Sequence, residues 1–334
     1  HSSSGWGDAA AVCPWTVYLC QGDRSLLEEQ FGSMKAWVGY IRSQARDGLL
    51  WDSGFHFGDW LALDSHAGDY TGATDKSLIA TAFYAHSTNL VAKAARVLGY
   101  EEEERFHRNL HDAIVEAFRR EFYTPAGRLA VSTQTAHVLA LAFDLAREED
   151  RERTLQGLVR LVEKKDWHLD TGFLGTPYLC HVLSQGGRSD VAYRLLLQTD
   201  YPSWLYPITK GATTIWEHWD GIAPDGSFWS ARMNSFNHYA YGAVGDWMVQ
   251  AVAGLDTAEE PAGYKRLRLR PTPGGGLRHA RATLDTLYGR VECGWAVEWD
   301  AIRYTVEIPP NTTAQLTLPA PAGAAGDGAQ AMSE

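Results

Sequence analysis

The sequence predicts a mainly helical toroid, an α/α barrel, followed by a small antiparallel β-sandwich. Apolar residues recur at helical spacing from Ala9 to about residue 253, and long loops alternate with very short ones along that stretch. After Thr257–Pro261 the pattern shortens to runs of alternating polarity.

The first clear stripe is Leu27, Phe31, Met34, Val38 and Ile41, whose steps of four and three keep one face apolar and imply a long helix. Thr74 is the expected N-cap of the next helix, which runs through Leu78, Phe83, Leu90 and Val91 and stops at Gly99. Further helices are expected at 102–121, 132–146, 150–164, 173–185, 188–198 and 236–253. Residues 47–73 and 199–235 form long loops carrying Trp, Asp, His and Glu, whereas Gly99-Tyr100 and Gly186-Gly187 are short connectors. Helical hairpins whose long loops share one end enclose a cup there, where function concentrates. Helix lengths vary too much for a solenoid of fixed period. Strands are expected at 265–270, 280–286, 289–299 and 302–307, with the Pro/Gly clusters at 271–276 and 309–311 as turns. The expected domains are thus a barrel over 1–256, a sandwich over 257–319 and an Ala/Gly/Pro-rich disordered tail over 320–334.

The composition of the 334 residues, 45% hydrophobic and 21% charged, is that of a globular protein. A net charge of -11 works against tracking a phosphate backbone, so nucleic acid is not expected as a partner. No run of about 18 apolar residues is present, so no membrane-spanning helix is expected. Cys13 and Cys20, if on one helix, lie roughly 10 Å apart along its axis, too far for a disulfide. The histidines show no metal-ligand spacing, and neither a metal nor another cofactor is expected. Thirteen tryptophans are unusual, and a surplus spread over loops points to core packing, stacking on flat ligands, or both.

The densest chemical signal is Thr213-Thr214-Ile215-Trp216-Glu217-His218-Trp219-Asp220, which follows the aromatic stretch 201–207. Desolvation disfavours a carboxylate among indoles unless it is paired, so such an acid needs a reason to be there. Sugars supply one, because a pyranose offers apolar C–H faces for stacking and hydroxyls for carboxylates, amides and imidazoles. Glu217 is therefore the candidate catalytic group, in preference to a capping or salt-bridged residue. In Phe55-His56-Phe57-Gly58-Asp59-Trp60-Leu61, Asp59 has the chemistry to hold sugar hydroxyls and Trp60 to stack on a ring, or they serve as a cap and a core residue. Asp8 in Gly5-Trp6-Gly7-Asp8 reads equally well as a helix N-cap or a ligand. His238, beside Asn234 and Asn237, is either structural or part of a hydroxyl-binding set.

Gly-Trp-Gly-Asp-Ala-Ala, Phe-Gly-Asp-Trp-Leu, Gly-Phe-Leu-Gly-Thr-Pro-Tyr-Leu, Thr-Thr-Ile-Trp-Glu and Asn-Ser-Phe-Asn-His-Tyr-Ala-Tyr-Gly occur in this order, and with them the chain resembles bacterial α-L-rhamnosidases of glycoside hydrolase family 78. The resemblance runs from Trp6 to about Pro319. It implies an (α/α)6 barrel with a C-terminal β-sandwich, and hydrolysis of terminal α-L-rhamnose from a small rhamnoside or oligosaccharide with inversion. Inversion uses two carboxyl groups roughly 6.5–9.5 Å apart. Glu217 matches the family's general base, Trp6 and Trp60 its pocket lining, Asp59 a neighbouring acid, and His238 a contact to sugar hydroxyls. The family's general acid lies in an Arg/Asp/Glu-rich motif upstream of Gly-Trp-Gly-Asp, and none precedes Trp6 here. The expectation is a barrel incomplete at its N-terminus, partnered by the remainder of a parent chain, weakly active or inactive alone, with apolar barrel surface exposed. The competing expectations are another α/α-barrel carbohydrate enzyme and a sugar-binding fragment without catalysis.

Overall fold

The computed structural model describes residues 2–65 and 69–319, so the expected tail over 320–334 lies outside the described residues. By their contacts the described residues form two compact units, one within 2–13 and 28–243, the other within 14–27 and 244–319. The second unit therefore takes in a helical segment from early in the chain as well as the strands.

The chain opens with α1 (Ala9–Gln21) and α2 (Arg24–Gln44); in the first unit, α3 (Lys76–Leu98) packs on α4 (Glu101–Phe122), α5 (Gln134–Ala142) on α6 (Glu148–Lys164), and α7 (Thr176–Gln185) on α8 (Ser189–Leu196). The α3, α5 and α7 helices also touch one another in turn. They are the inner members of the hairpins, because they are buried on nearly every side: in α5 all of Gln134 to Leu141 is buried. A helix that is apolar all round has to sit inside. The outer helices are one-sided, as α4 shows by burying Leu110, Ile114, Phe118 and Phe122 at steps of four while opening on four glutamates. Those acids lie in its first turn, where the helix dipole favours negative charge.

Most expected helices are present with ends moved by a few residues, and two expectations are corrected. The cap of α3 is Asp75, whose carboxylate accepts from the Ser77 and Leu78 amides; Thr74 instead shares a 2.7 Å hydrogen bond with Thr133. A carboxylate is a stronger acceptor than a hydroxyl, and Thr74 has a partner in Thr133, the cap of the neighbouring α5. The expected helix over 236–253 is broken into a 3-10 turn at Ala240–Ala243, a short α-helix at Val244–Trp247 and a π-turn at Met248–Ala253. Gly242 and Gly245 weaken helical order in that stretch. Gly99 does end α3, in the left-handed region at φ 79°.

Loops ahead of α3, α5, α7 and the Ala240–Ala243 turn gather at one end. Leu63 N–H donates to Asp170 O (2.9 Å), Phe173 N–H to Trp60 O (2.9 Å), the Gln134 amide to His168 O (3.1 Å), and Tyr241 O–H to Leu61 O (3.4 Å). These crossed bonds turn separate connectors into one floor.

The second unit holds two three-stranded sheets. One has the order β1 (Leu255–Thr257), β2 (Arg266–Leu269), β6 (Thr313–Leu316); the other has β3 (His279–Thr286), β4 (Gly289–Glu298), β5 (Ala301–Glu307). The second sheet is antiparallel throughout, but β2 and β6 run parallel, with Leu267 opposite Ala314. The strands β1 and β6 were not expected from sequence, being only three and four residues long. Leu255, Leu267 and Leu269 of the first sheet pack with Val291 and Cys293 of the other in one apolar core. In the helical segment of this unit Leu19 O accepts from Gly263 N–H at 2.9 Å.

All four cysteines carry free thiols. Among the described residues no helix is long and apolar enough to cross a membrane. Leu267 is completely buried at the centre of the sandwich core, so Leu267→Ala will lower the stability of the second unit by about 2–5 kcal/mol, read from the urea midpoint of its unfolding transition. A loss within error would mean that this core is not what holds the sheets together.

Candidate active site

Two chain segments build the acidic side of the cup. The Glu217 N–H donates to Ser235 O (2.8 Å), and the Ser235 N–H returns to Glu217 Oε2 (2.9 Å). The His238 N–H donates to Ile215 O (2.9 Å), and the Thr214 hydroxyl donates to Phe236 O. Glu217 and His238 are thereby set on adjacent runs. Glu217 is half-buried between buried Trp216 and buried His218 and Trp219, and its second carboxylate oxygen has no hydrogen-bond partner among the described residues. It is neither a helix cap nor part of an ion pair there, so one oxygen is anchored and the other is open to chemistry.

Asp59 is placed differently from expectation. It is fully buried: one oxygen accepts from the Thr135 hydroxyl and Gly172 N–H (2.7 Å), and the other from Leu174 N–H (2.8 Å) and Gly175 N–H (3.3 Å). Its carboxylate is enclosed by the 172–175 loop and the Thr135 hydroxyl, with four donors on its two oxygens. Burial pushes its carboxyl above the usual range, and those hydrogen bonds pull it back. Asp8 is likewise fully buried, accepting from Gly5 N–H (2.7 Å), the Trp37 indole (2.9 Å) and the Ser87 hydroxyl (2.5 Å). It thus serves neither as an N-cap through its side chain nor as a ligand.

The turn that Asp8 closes presents Trp6. Gly5 sits at φ 82°, where a Cβ would strike Leu174 at 2.5 Å, and a Cβ on Gly7 would strike Trp37 at 2.2 Å. The two glycines let the backbone lie this close, leaving the Trp6 indole 39% exposed. Ser3 and Ser4 tie this segment to the next loop, through Phe57 N–H on the Ser3 hydroxyl (3.0 Å) and Ser4 N–H on His56 Nδ1 (3.3 Å).

A run of rings then crosses the cup. Trp6 meets Phe57 (4.8 Å between centroids), Phe57 meets Trp60 (5.6 Å), Trp60 meets Tyr70 (5.2 Å), and Tyr70 meets Trp229 (5.8 Å), which stacks on His218 at 3.6 Å. On the other side, His238 stacks on Phe173 (5.0 Å), and Tyr241 lies between Phe173 and Trp219 (5.3 and 3.9 Å). Trp6 and Trp60 share the first run of rings and His238 ends the second; the two runs are joined along the chain at His218 and Trp219, directly after Glu217. Phe57, Tyr70, Phe173, His218, Trp229 and Tyr241 were not singled out from sequence. Phe57, Phe173, His218 and Tyr241 lay within quoted motifs, whereas nothing in the sequence marked Tyr70 or Trp229.

Beside this wall a cavity of about 260 Å³ is lined by Tyr70, Tyr201, His218, Trp219, Asp220 and Tyr241, among others. Burial lowers the His218 imidazole to about 4, against the upward pull of Glu217, and the ring stacks on Trp229. Among the described residues no three His, Cys, Asp or Glu side chains are grouped so as to hold a metal ion.

Hairpins of buried inner and one-sided outer helices, closed at one end by an aromatic cup with a half-open carboxylate, define a helical-hairpin barrel of the glycosidase type. The chain belongs to the family of the bacterial alpha-L-rhamnosidase 6 hairpin glycosidase domain, which it matches over residues 1–252, and it continues into the bacterial alpha-L-rhamnosidase C-terminal domain over 254–332. An alpha-L-rhamnosidase of Formosa agariphila is 43% identical over 95% of this chain and 34% of its own length. The crystal structure of Streptomyces avermitilis alpha-L-rhamnosidase complexed with L-rhamnose superposes at a TM-score of 0.88 with 44% identity, covering 95% of this chain and 30% of that one. That of the Aspergillus terreus enzyme gives 0.91 with 37% identity, covering 98% and 38%. The chain spans about a third of the length of the curated relatives it matches.

Asp59→Asn will replace an oxygen acceptor by an amide N–H facing N–H donors. The expected loss is about 2–5 kcal/mol of unfolding free energy, measured in urea; an unchanged midpoint would remove Asp59 from its structural role. For His218, the unfolded chain takes up its proton near 6.5 and the folded chain only near 4. The unfolded state therefore binds more protons in that window, and stability falls as pH drops through it. His218→Phe, which retains a ring against Trp229, will flatten the fall in urea midpoint between about pH 7 and about pH 4.5; an unaltered slope would contradict this.

Proposed function

We propose that this chain carries the sugar-binding barrel and the water-activating residue of an inverting glycoside hydrolase that removes terminal α-L-rhamnose from rhamnosides. The single observation behind it is Glu217, half-buried between tryptophans with one oxygen fixed by Ser235 N–H and the other unengaged. Relatives that carry the rhamnosidase name, one solved with L-rhamnose, supply the sugar.

In this reading the rhamnose ring lies against the exposed face of Trp6 and near Trp60, with its apolar C–H face on the indole. His238 meets a ring hydroxyl, its orientation fixed by the Phe173 stack and by Ala240 N–H on its Nδ1 (3.3 Å). The open Glu217 oxygen takes a proton from a water molecule as that water attacks the anomeric carbon, while the bond to the leaving oxygen breaks on the opposite face. A second carboxyl must protonate that oxygen. Asp8 and Asp59, the acids of the two aromatic motifs, are buried with both oxygens engaged, so neither is assigned this role.

Glu217→Gln keeps the Ser235 contact possible through its amide oxygen but removes the base. It will lower the hydrolysis of an aryl α-L-rhamnoside by about 100-fold or more, while L-rhamnose binding measured by calorimetry stays within a few fold. Both measurements belong in the longest chain that shows turnover. Undiminished turnover would reject Glu217 as the base, and cleavage of another aryl glycoside in preference to the rhamnoside would reject the sugar.

A further inference from the structure

A second concavity of the helical unit lies apart from Glu217, whose segment lines none of it. It is a bowl of about 700 Å³ between the 124–132 connector and α6. Arg128, Arg153, Arg160 and Lys164 line it, with no acidic residue in the lining, on a chain whose net charge is -11. Arg153 is held in place by Asp150 (3.6 Å) and Ala126 O. Arg128, Arg160 and Lys164 have no acidic partner among the described residues. Exposed cations on a helix face are usually just solvated, so further features have to decide.

Two do. His137 is buried at the wall of the bowl, and its Nδ1 lies 2.8 Å from Thr133 O, so Nδ1 carries the hydrogen and donates to that carbonyl. Burial, with Arg160 adding to it, holds the imidazole below its ordinary range, so the ring is neutral and its Nε2 is a lone-pair acceptor without a partner among the described residues. Gly157 stands in the middle of α6, where glycine costs about 1 kcal/mol relative to alanine. A Cβ there would stand 2.6 Å from His137 Nε2. The missing side chain makes room for the imidazole edge in the wall of the bowl.

A bare anion suits the cations but not an acceptor nitrogen beside them. A sugar acid suits both, since its hydroxyl donates to His137 Nε2 and its oxyanion meets the guanidinium and ammonium groups. The connector lies at the cup end of the unit, where Thr133 joins Thr74 (2.7 Å) and Thr135 joins Asp59. A bowl of this volume holds one or two sugar rings. We infer that the bowl formed by Arg128, Arg160, Lys164 and His137 is a binding site for an anionic sugar unit, a uronate or a sulfated ring, of the glycan that the cup acts on. Only its attribution to that glycan rests on the proposed function; the binding itself does not.

The test is calorimetric titration of the chain and its Arg160→Ala/Lys164→Ala variant, both changes being at exposed positions, with D-glucuronate, D-glucose 6-sulfate, D-glucose, inorganic sulfate and L-rhamnose. The unaltered chain should bind both acidic sugars more tightly than D-glucose or sulfate ion, and the variant should bind them about tenfold or more weakly while L-rhamnose affinity is unchanged. Equal affinity of chain and variant for the acidic sugars, equal affinity for D-glucose, or binding of sulfate ion as tight as that of the sugars would each overturn the inference. Acidic sugars bound without any L-rhamnose binding would leave this site standing and remove support from the proposed function instead.

Discussion

The cup depends on one buried charge. Asp59 sits at zero exposure and gathers hydrogen bonds from the amides of Gly172, Leu174 and Gly175 and from the Thr135 hydroxyl, binding the connectors ahead of α3 and α7 to the first turn of α5. Removing a carboxylate from water costs several kcal/mol, which only a full set of donors offsets. Once that set is met, the loops have little freedom left. Trp60 follows Asp59 directly and Phe173 lies inside the donor loop, so the same carboxylate fixes two walls of the cup.

The aromatic surface is a second consequence. Rings from five separate stretches, near residues 6, 57–60, 70, 173 and 216–241, meet at centroid distances of 3.6 to 5.8 Å. They give the cup flat apolar faces without closing it, because Trp6, Trp229 and Tyr239 keep much of their surface exposed. Amphipathic rings of this kind suit a ligand with C–H faces and a hydroxylated rim. The carboxylate of Glu217 sits half-buried, anchored by a backbone amide whose dipole is already oriented.

Local pattern carried much of this. The stripe from Leu27 to Ile41 and the alternation of long and short connectors are helix and hairpin signals that survive folding, because periodicity of apolar residues is what burial selects. The short strands β1 and β6 were invisible because three or four residues are too few to show alternation, and they are ordered by β2 between them. The segment 236–253 failed as a continuous helix where glycines let packing choose another winding. Asp59 and Trp60 stood out equally in the Gly-Asp-Trp motif, yet one turned inward and the other stayed half-exposed, which no spacing of residues discloses.

By itself the sequence determined the helical hairpins, the change to strands after residue 257, and the candidacy of Trp6, Trp60, Glu217 and His238. Those follow from side-chain chemistry and period, which act over neighbouring residues, except for Trp6, whose candidacy rested on the family resemblance alone. Tertiary structure alone decided that Asp8 and Asp59 are buried anchors, that His218 is a neutral ring stacked on Trp229, and that four cations and a histidine share a bowl beside α6. Partners such as Ser87 for Asp8 and Gly175 for Asp59, 79 and 116 residues away in the chain, help set those outcomes, and whether a charge is satisfied depends on which donors folding brings to it.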